Sequence, residues 1–111
     1  MTAPAYLIVE MQISDAEQYK AYMAAAPAFV QAHGGEYLVR GGGHETLEGD
    51  WQPHRLAVLR FPSFERAKAF YEGDYSAMAR PLRAGATTYF NMVLVEGVET
   101  PVRGPASHPK P

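Results

Sequence analysis

The 111-residue chain contains no cysteine, which excludes disulfide frameworks, thiolate nucleophiles and cysteine-ligated zinc and suits a reducing, cytoplasmic setting. Its charge is nearly balanced: ten Lys+Arg against twelve Asp+Glu leave a formal net charge of −2. A protein built to neutralise nucleic-acid phosphates carries a basic surplus, so no nucleic acid is expected as a partner. Long apolar runs are missing as well. The first, Tyr6 to Val9, is interrupted by Glu10, and Met1-Thr-Ala-Pro-Ala has no positive stretch, so neither a signal peptide nor a membrane span is expected. What is present is apolar side chain for a core: 47% of residues are hydrophobic, over a length that suits one domain. That domain is expected over residues 1–98. Residues 99–111 hold four of the nine prolines and almost no large apolar residue, and read as a Pro-rich flexible C-terminal tail.

Within the domain the hydrophobic period changes in a regular order. Ala5 to Ile13 alternates, with Leu7, Val9, Met11 and Ile13 on one side, which is a strand with one apolar face. Ser14-Asp15-Ala16-Glu17 matches a capping box, and Tyr19, Tyr22, Met23, Ala26, Phe29 and Val30 follow at helical spacing as far as Gly34-Gly35. Pro27 lies inside this helix and predicts a kink or break. Glu36 to Arg40 is a second strand, bent by a bulge at Gly41-Gly42-Gly43 and continued through His44 to Glu48. After a turn, Arg55 to Phe61 forms the other arm of a hairpin, with Glu48 and Arg55 opposed as an ion pair. Ser63 caps a second helix that ends at Gly73, Tyr75 to Arg83 is a further helical piece disturbed by Pro81, and Thr87 to Glu96 alternates again as a fourth strand.

The order β-α-β-β-α-β predicts an α+β, ferredoxin-like fold, a four-stranded antiparallel sheet with both helices on one face. The other face would carry Tyr6, Ile8 and Glu10, then Leu56, Val58 and Arg60, then Tyr89, Asn91, Val93 and Val95. So apolar a surface calls for a cover, and a second copy of the chain is the expected one.

The Ala5-Tyr6 strand, Tyr19 and Tyr22 ahead of Pro27, Gly34-Gly35-Glu36-Tyr37-Leu38-Val39-Arg40-Gly41-Gly42, Leu47-Glu48-Gly49-Asp50-Trp51, Arg55-Leu56 and Phe61-Pro62-Ser63 resemble, in order and spacing, the domain of unknown function 1330 family. The resemblance runs from Ala5 to Val98. It implies a dimeric α+β barrel, in which two ferredoxin-like subunits put their sheets face to face. The superfamily so implied includes cofactor-free monooxygenases of polyketide biosynthesis, muconolactone isomerase-like proteins, haem-degrading monooxygenases and stress-response barrels. A fold does not choose among such chemistries.

Candidate site residues follow from chemistry. His44, Glu45, Glu48, Asp50 and His54 crowd the hairpin, but at ~3.3 Å per strand residue His44 and Glu48 stand ~13 Å apart, so no metal site is expected. Ser14 and Ser63 read as helix caps, and no Gly-x-Ser-x-Gly elbow or phosphate loop exists. Glu10 is a carboxylate on a face expected to be covered, where it is either a general base or half of an ion pair. His33 is a second catalytic candidate, though its place before Gly34 suits a helix C-terminus. Arg40 is the leading ligand-binding candidate, since its planar fork can hold a carboxylate or enolate oxygen, with pairing to a carboxylate of the protein as the competing role. Arg60, Asn91 and Tyr89 share the uncovered face, and Trp51 is either a stacking platform or an anchor on a second subunit.

Two functions fit these residues. One is a homodimer that binds a small apolar ligand with one anionic or carbonyl oxygen and acts without a cofactor as a monooxygenase or isomerase. The other is a non-catalytic binding or interaction dimer whose interface is filled.

Overall fold

The computed structural model describes residues 3–100. The tail expected from residue 99 therefore lies, beyond residue 100, outside the described residues. Strand β1 (Ala5–Ile13) leads into helix α1 (Ala16–Ala32), strands β2 (Glu36–Arg40) and β3 (Arg55–Phe61), helix α2 (Phe64–Glu72) and strand β4 (Thr87–Glu96). The four strands form one antiparallel sheet in the order β2-β3-β1-β4, the ferredoxin-like arrangement. Among the described residues, no helix is long and apolar enough to cross a membrane.

Alternation in β1 is realised as expected: Ala5, Leu7, Val9 and Met11 are buried beneath the helices. They meet Tyr19, Tyr22, Ala26 and Val30 of α1, Ala67 and Phe70 of α2, and Leu59 and Phe61 of β3 in one core. Between α2 and β4 the chain makes a π-helical turn, Tyr75–Ala79, then a 3-10 turn, Arg80–Arg83, where Pro81 interrupts regular helix. Tyr75 is buried at the centre of this packing, stacked on Phe70 with ring centroids 4.3 Å apart.

Three local expectations are corrected. The cap of α1 is Asp15 rather than Ser14: the Asp15 carboxylate accepts from the Gln18 N–H at 3.1 Å. The Ser14 N–H is spent on the Ala86 carbonyl at 2.8 Å, which ties the end of β1 to the approach of β4. Glu17 does not reach back to the cap and pairs with Lys20 at 2.6 Å. Next, α1 runs through Pro27 without a break. Proline has no N–H for the Met23 carbonyl one turn earlier, and Arg40 Nη2 donates to that oxygen at 3.2 Å in its place.

The third correction concerns the hairpin. β2 stops at Arg40, Gly41 turns the chain at a φ of 77°, and its N–H closes the ladder on the Leu56 carbonyl at 2.8 Å. The bulge falls at Leu38, where the β2–β3 register shifts between Tyr37 and Val39, and not in the glycine triplet. His44 to Glu48 is loop, so the Glu48–Arg55 ion pair does not form. The loop is held by its own bonds: His44 Nε2 donates to the Pro53 carbonyl at 2.8 Å and Thr46 Oγ1 to the Trp51 carbonyl at 2.6 Å.

Candidate functional site

Parity along β3 decides which side chains enter the space between sheet and helices. Ala57, Leu59 and Phe61 face the helices, and the same parity carries Arg55 to that side. Its guanidinium occupies the volume that a side chain at position 41 would need, so Gly41 serves both the turn and the reach of Arg55. Arg40 ends β2 beside it, its guanidinium 4.5 Å from the centroid of the Tyr37 ring and bonded to the Met23 carbonyl. No carboxylate lies within ion-pairing distance of either arginine among the described residues.

The two arginines line an internal pocket whose walls are Tyr19, Tyr22, Tyr37 and Tyr75, with Met11, Met23 and Met92 among its apolar lining. Its free volume is about 50 Å³. That is room for a few waters, at ~10–15 Å³ of such volume each, or for the oxygen-bearing end of a ligand. Because methionine has three soft torsions, walls containing it yield to an incoming group more readily than branched side chains do. The phenol of Tyr22 meets that of Tyr75 at 2.6 Å. A third cation stands nearby: Arg83 lies 3.6 Å over the Phe90 ring and 5.4 Å over Tyr22.

Ionisation at this pocket runs in one direction. Burial pushes the Tyr22 phenol far up, and the adjoining Tyr75 hydroxyl reinforces the shift. Burial likewise raises Tyr19 and Tyr37, against the opposing pull of Arg55 on the former and Arg40 on the latter. The phenols thus remain protonated at neutral pH and act as hydrogen-bond donors beside two cations. Neither a carboxylate nor an imidazole is part of the lining.

On the opposite face of the sheet a different set of groups meets. Tyr89 O–H donates to Glu10 Oε2 at 2.8 Å, and His54 Nδ1 lies 2.8 Å from the same phenol oxygen. Asn91 is the register partner of Glu10 across β1 and β4. The Tyr89 phenol is raised by loss of solvent and by its bond to the Glu10 carboxylate, and lowered in part by His54.

The remaining candidates disperse. Arg60 sits at the far end of this face, opposite Tyr6, and pairs with Glu36 at 3.3 Å. His33 ends α1 with Nδ1 3.1 Å from the Phe29 carbonyl and its ring edge-on to Phe70, which is a capping position. Trp51 is exposed on the β2–β3 loop and lines a hollow of about 340 Å³ with Leu47 and Leu56. Glu10 and Arg40 therefore lie on opposite faces of the sheet, so a Glu10 base and an Arg40 that holds an enolate oxygen do not share a site. Sequence reasoning missed Arg55 and His54. Both follow from β3 parity, which sends Arg55 toward the helices and His54, with Leu56, to the opposite face. Among the described residues no three His, Asp or Glu side chains converge as metal ligands.

The model of the family named Domain of unknown function (DUF1330) matches residues 4–98. No curated protein matches the chain. Among solved structures, the chain is similar to a protein of unknown function from Rhodopseudomonas palustris: TM-score 0.71, 15% identity, covering 90% of this chain and 86% of that one. It is also similar to a provisionally named antibiotic biosynthesis monooxygenase from Caulobacter crescentus: TM-score 0.61, 14% identity, covering 88% of this chain and 92% of that one. At these identities the likeness is one of fold.

Proposed function

We propose, for a chain that belongs to the DUF1330 family, that the pocket between helices and sheet binds a small, largely apolar ligand through one anionic oxygen. The observation that carries this reading is the pair Arg40 and Arg55, which line a pocket walled by protonated phenols and have no carboxylate partner among the described residues. Arg40 is exposed and Arg55 half-buried, so the two guanidiniums stay hydrated at the edge of the apolar pocket and present two adjacent positive groups to an entering anion. A carboxylate, phenolate or enolate oxygen suits them, and the phenols donate to it.

The pocket supplies donors and cations but no base. A reactive ligand would therefore have to arrive as its anion, and the site would hold the oxygen while chemistry occurs on the attached carbon. That is the requirement of a cofactor-independent oxygenase, a second reading favoured by the fold shared with the Caulobacter crescentus protein. The first reading is tested by NMR titration with benzoate and its neutral analogue benzamide. Benzoate is expected to shift the resonances of pocket residues and benzamide to leave them unmoved, with Arg55→Met weakening benzoate at least ~10-fold, as loss of a charge-assisted bond requires. Equal binding of the two compounds would overturn it.

The same reading includes a homodimer. Ile8, Val39, Val93 and Val95 are exposed on the uncovered sheet face, between 38% and 59%, and Ile8 is the register partner of Val93. A second copy of this face is the complementary cover, and Trp51 stands where it would contact that copy. Light scattering is expected to give twice the mass of the chain, and Val93→Lys to give a folded monomer. A monomeric wild type would remove this part of the proposal and leave the pocket intact.

A further inference from the structure

The Tyr22 and Tyr75 phenols leave one proton unplaced. Their oxygens lie 2.6 Å apart, so one hydroxyl donates to the other, whichever way the bond runs. Each phenol has a single proton, and the accepting hydroxyl must send its own elsewhere. Neither oxygen has a second hydrogen-bond partner among the described residues. Tyr75 is 1% exposed and Tyr22 9%, so bulk solvent supplies none. Phe70 is stacked on Tyr75 and Phe90 stands edge-on to Tyr22, and neither ring carries an oxygen or nitrogen. Both phenols line the internal pocket, which is the direction left for the free O–H. A buried donor is costly without an acceptor, so the pocket's ligand is expected to bring one.

The phenol pair stands apart from the two arginines of the pocket. Arg55 pulls on Tyr19 and Arg40 on Tyr37, whereas neither acts on Tyr22. The pocket therefore has two polar ends, with Met11, Ala57, Leu59 and Met92 as apolar wall. They suit different oxygens. The guanidiniums of Arg40 and Arg55 take an anionic one. At the phenols no cation enters the lining, since Arg83 is held over the Phe90 ring, and a second carboxylate buried there would be uncompensated. A neutral carbonyl oxygen is the better acceptor. The free volume of about 50 Å³ holds about four waters, at ~10–15 Å³ each, so the chain joining the two oxygens is short.

We propose that the Tyr22–Tyr75 pair is a second subsite of this pocket, one that reads a ketone oxygen, and that the ligand class is the short-chain oxo acids. The carboxylate would meet Arg40 and Arg55, with Tyr19 and Tyr37 beside them, and the ketone would accept the free O–H of the phenol pair. This inference rests on the anion-binding reading of the pocket and adds to it the neutral end of the ligand. The subsite lies on the helix side of the sheet, so a second copy of the chain on the opposite face leaves it unobstructed. A site built around a committed donor also rejects a ligand of the same size that lacks the acceptor, because that ligand displaces water and strands the donor.

The test is NMR titration of the full chain with levulinate and with isocaproate, its isostere in which a methyl-bearing carbon replaces the ketone. Levulinate is expected to bind at least ~10-fold tighter, and the ketone carbon signal of labelled levulinate to move downfield on binding, the mark of a hydrogen-bonded carbonyl. The double variant Tyr22→Phe/Tyr75→Phe keeps both rings and removes both hydroxyls together, a change that leaves no orphaned partner in the core. It is expected to fold and to bind the two acids equally. Arg55→Met is expected to weaken both acids alike. Equal binding by wild type, or a preference that survives loss of both hydroxyls, would overturn the proposal and leave the anion pocket in place. So would failure of levulinate to bind where benzoate binds. Failure of benzoate as well, or unchanged affinity for the acids in Arg55→Met, would remove the anion reading itself and the subsite with it.

Discussion

Phe61→Ala is expected to lower the stability of the fold by about 3–5 kcal/mol, measured by urea unfolding. Phe61 is fully buried at the end of β3, 5.0 Å from the Phe70 ring, which in turn stacks on Tyr75. Truncation removes the first ring of this column and leaves a void that neighbours from three elements cannot close without moving the sheet. A second position reports on the same space. A Cβ on Gly35 would lie 2.5 Å from Phe61 Cε2 and 2.9 Å from Val30 Cγ1. Gly35→Ala alone should therefore cost about 1–3 kcal/mol through overpacking, and considerably less in the Phe61→Ala background, where the ring is gone. Equal costs in the two backgrounds would show that the ring does not set the tolerance at position 35.

Much of this frame is legible in the residues because each choice is made by a period. Leu7, Val9 and Met11 can be buried together only if Tyr6, Ile8 and Glu10 share the other face, and the same holds for Phe90, Met92 and Leu94 against Tyr89, Asn91 and Val93. The residues gathered on the sheet's two faces are less legible where the strand bounds and register differ from those expected. Strict alternation from Glu36 would put Arg40 on the uncovered face, but the bulge at Leu38 pairs it with Ala57 on the helix side, where the Met23 carbonyl left without a donor by Pro27 receives its guanidinium. His54 reads as one more charged residue of a solvated hairpin. Its ring meets Tyr89 because β3 parity puts it on the uncovered face with Leu56, and the registers that pair Arg55 with Met11 and Tyr89 with Gln12 bring both side chains to the same end of β1.

The buried phenols also predict how the protein fails in alkali. Tyr22 has an ordinary value of 10.0 when exposed in the unfolded chain, and burial raises it in the fold. Below pH 10 both states hold the proton, and the group contributes nothing to pH dependence. Above it the unfolded chain loses the proton while the fold retains it, so the native state binds more protons and stability falls as pH rises. For Tyr22 alone the slope approaches about 1.4 kcal/mol per pH unit above pH 10, which amounts to about 2 kcal/mol between pH 10 and 12, and Tyr19 and Tyr37 act in the same direction. Urea unfolding is expected to give a flat stability from about pH 7 to 9 and a steep decline above 10. Tyr22→Phe is expected to start lower by about 1–2 kcal/mol, because the Tyr75 hydroxyl loses its buried partner. Its decline should then be shallower by the slope of one phenol, so the two proteins converge toward pH 12. Parallel curves would mean that Tyr22 ionises in the fold as readily as in the unfolded chain, and the donors assigned to the pocket would then give way to phenolate at the same pH.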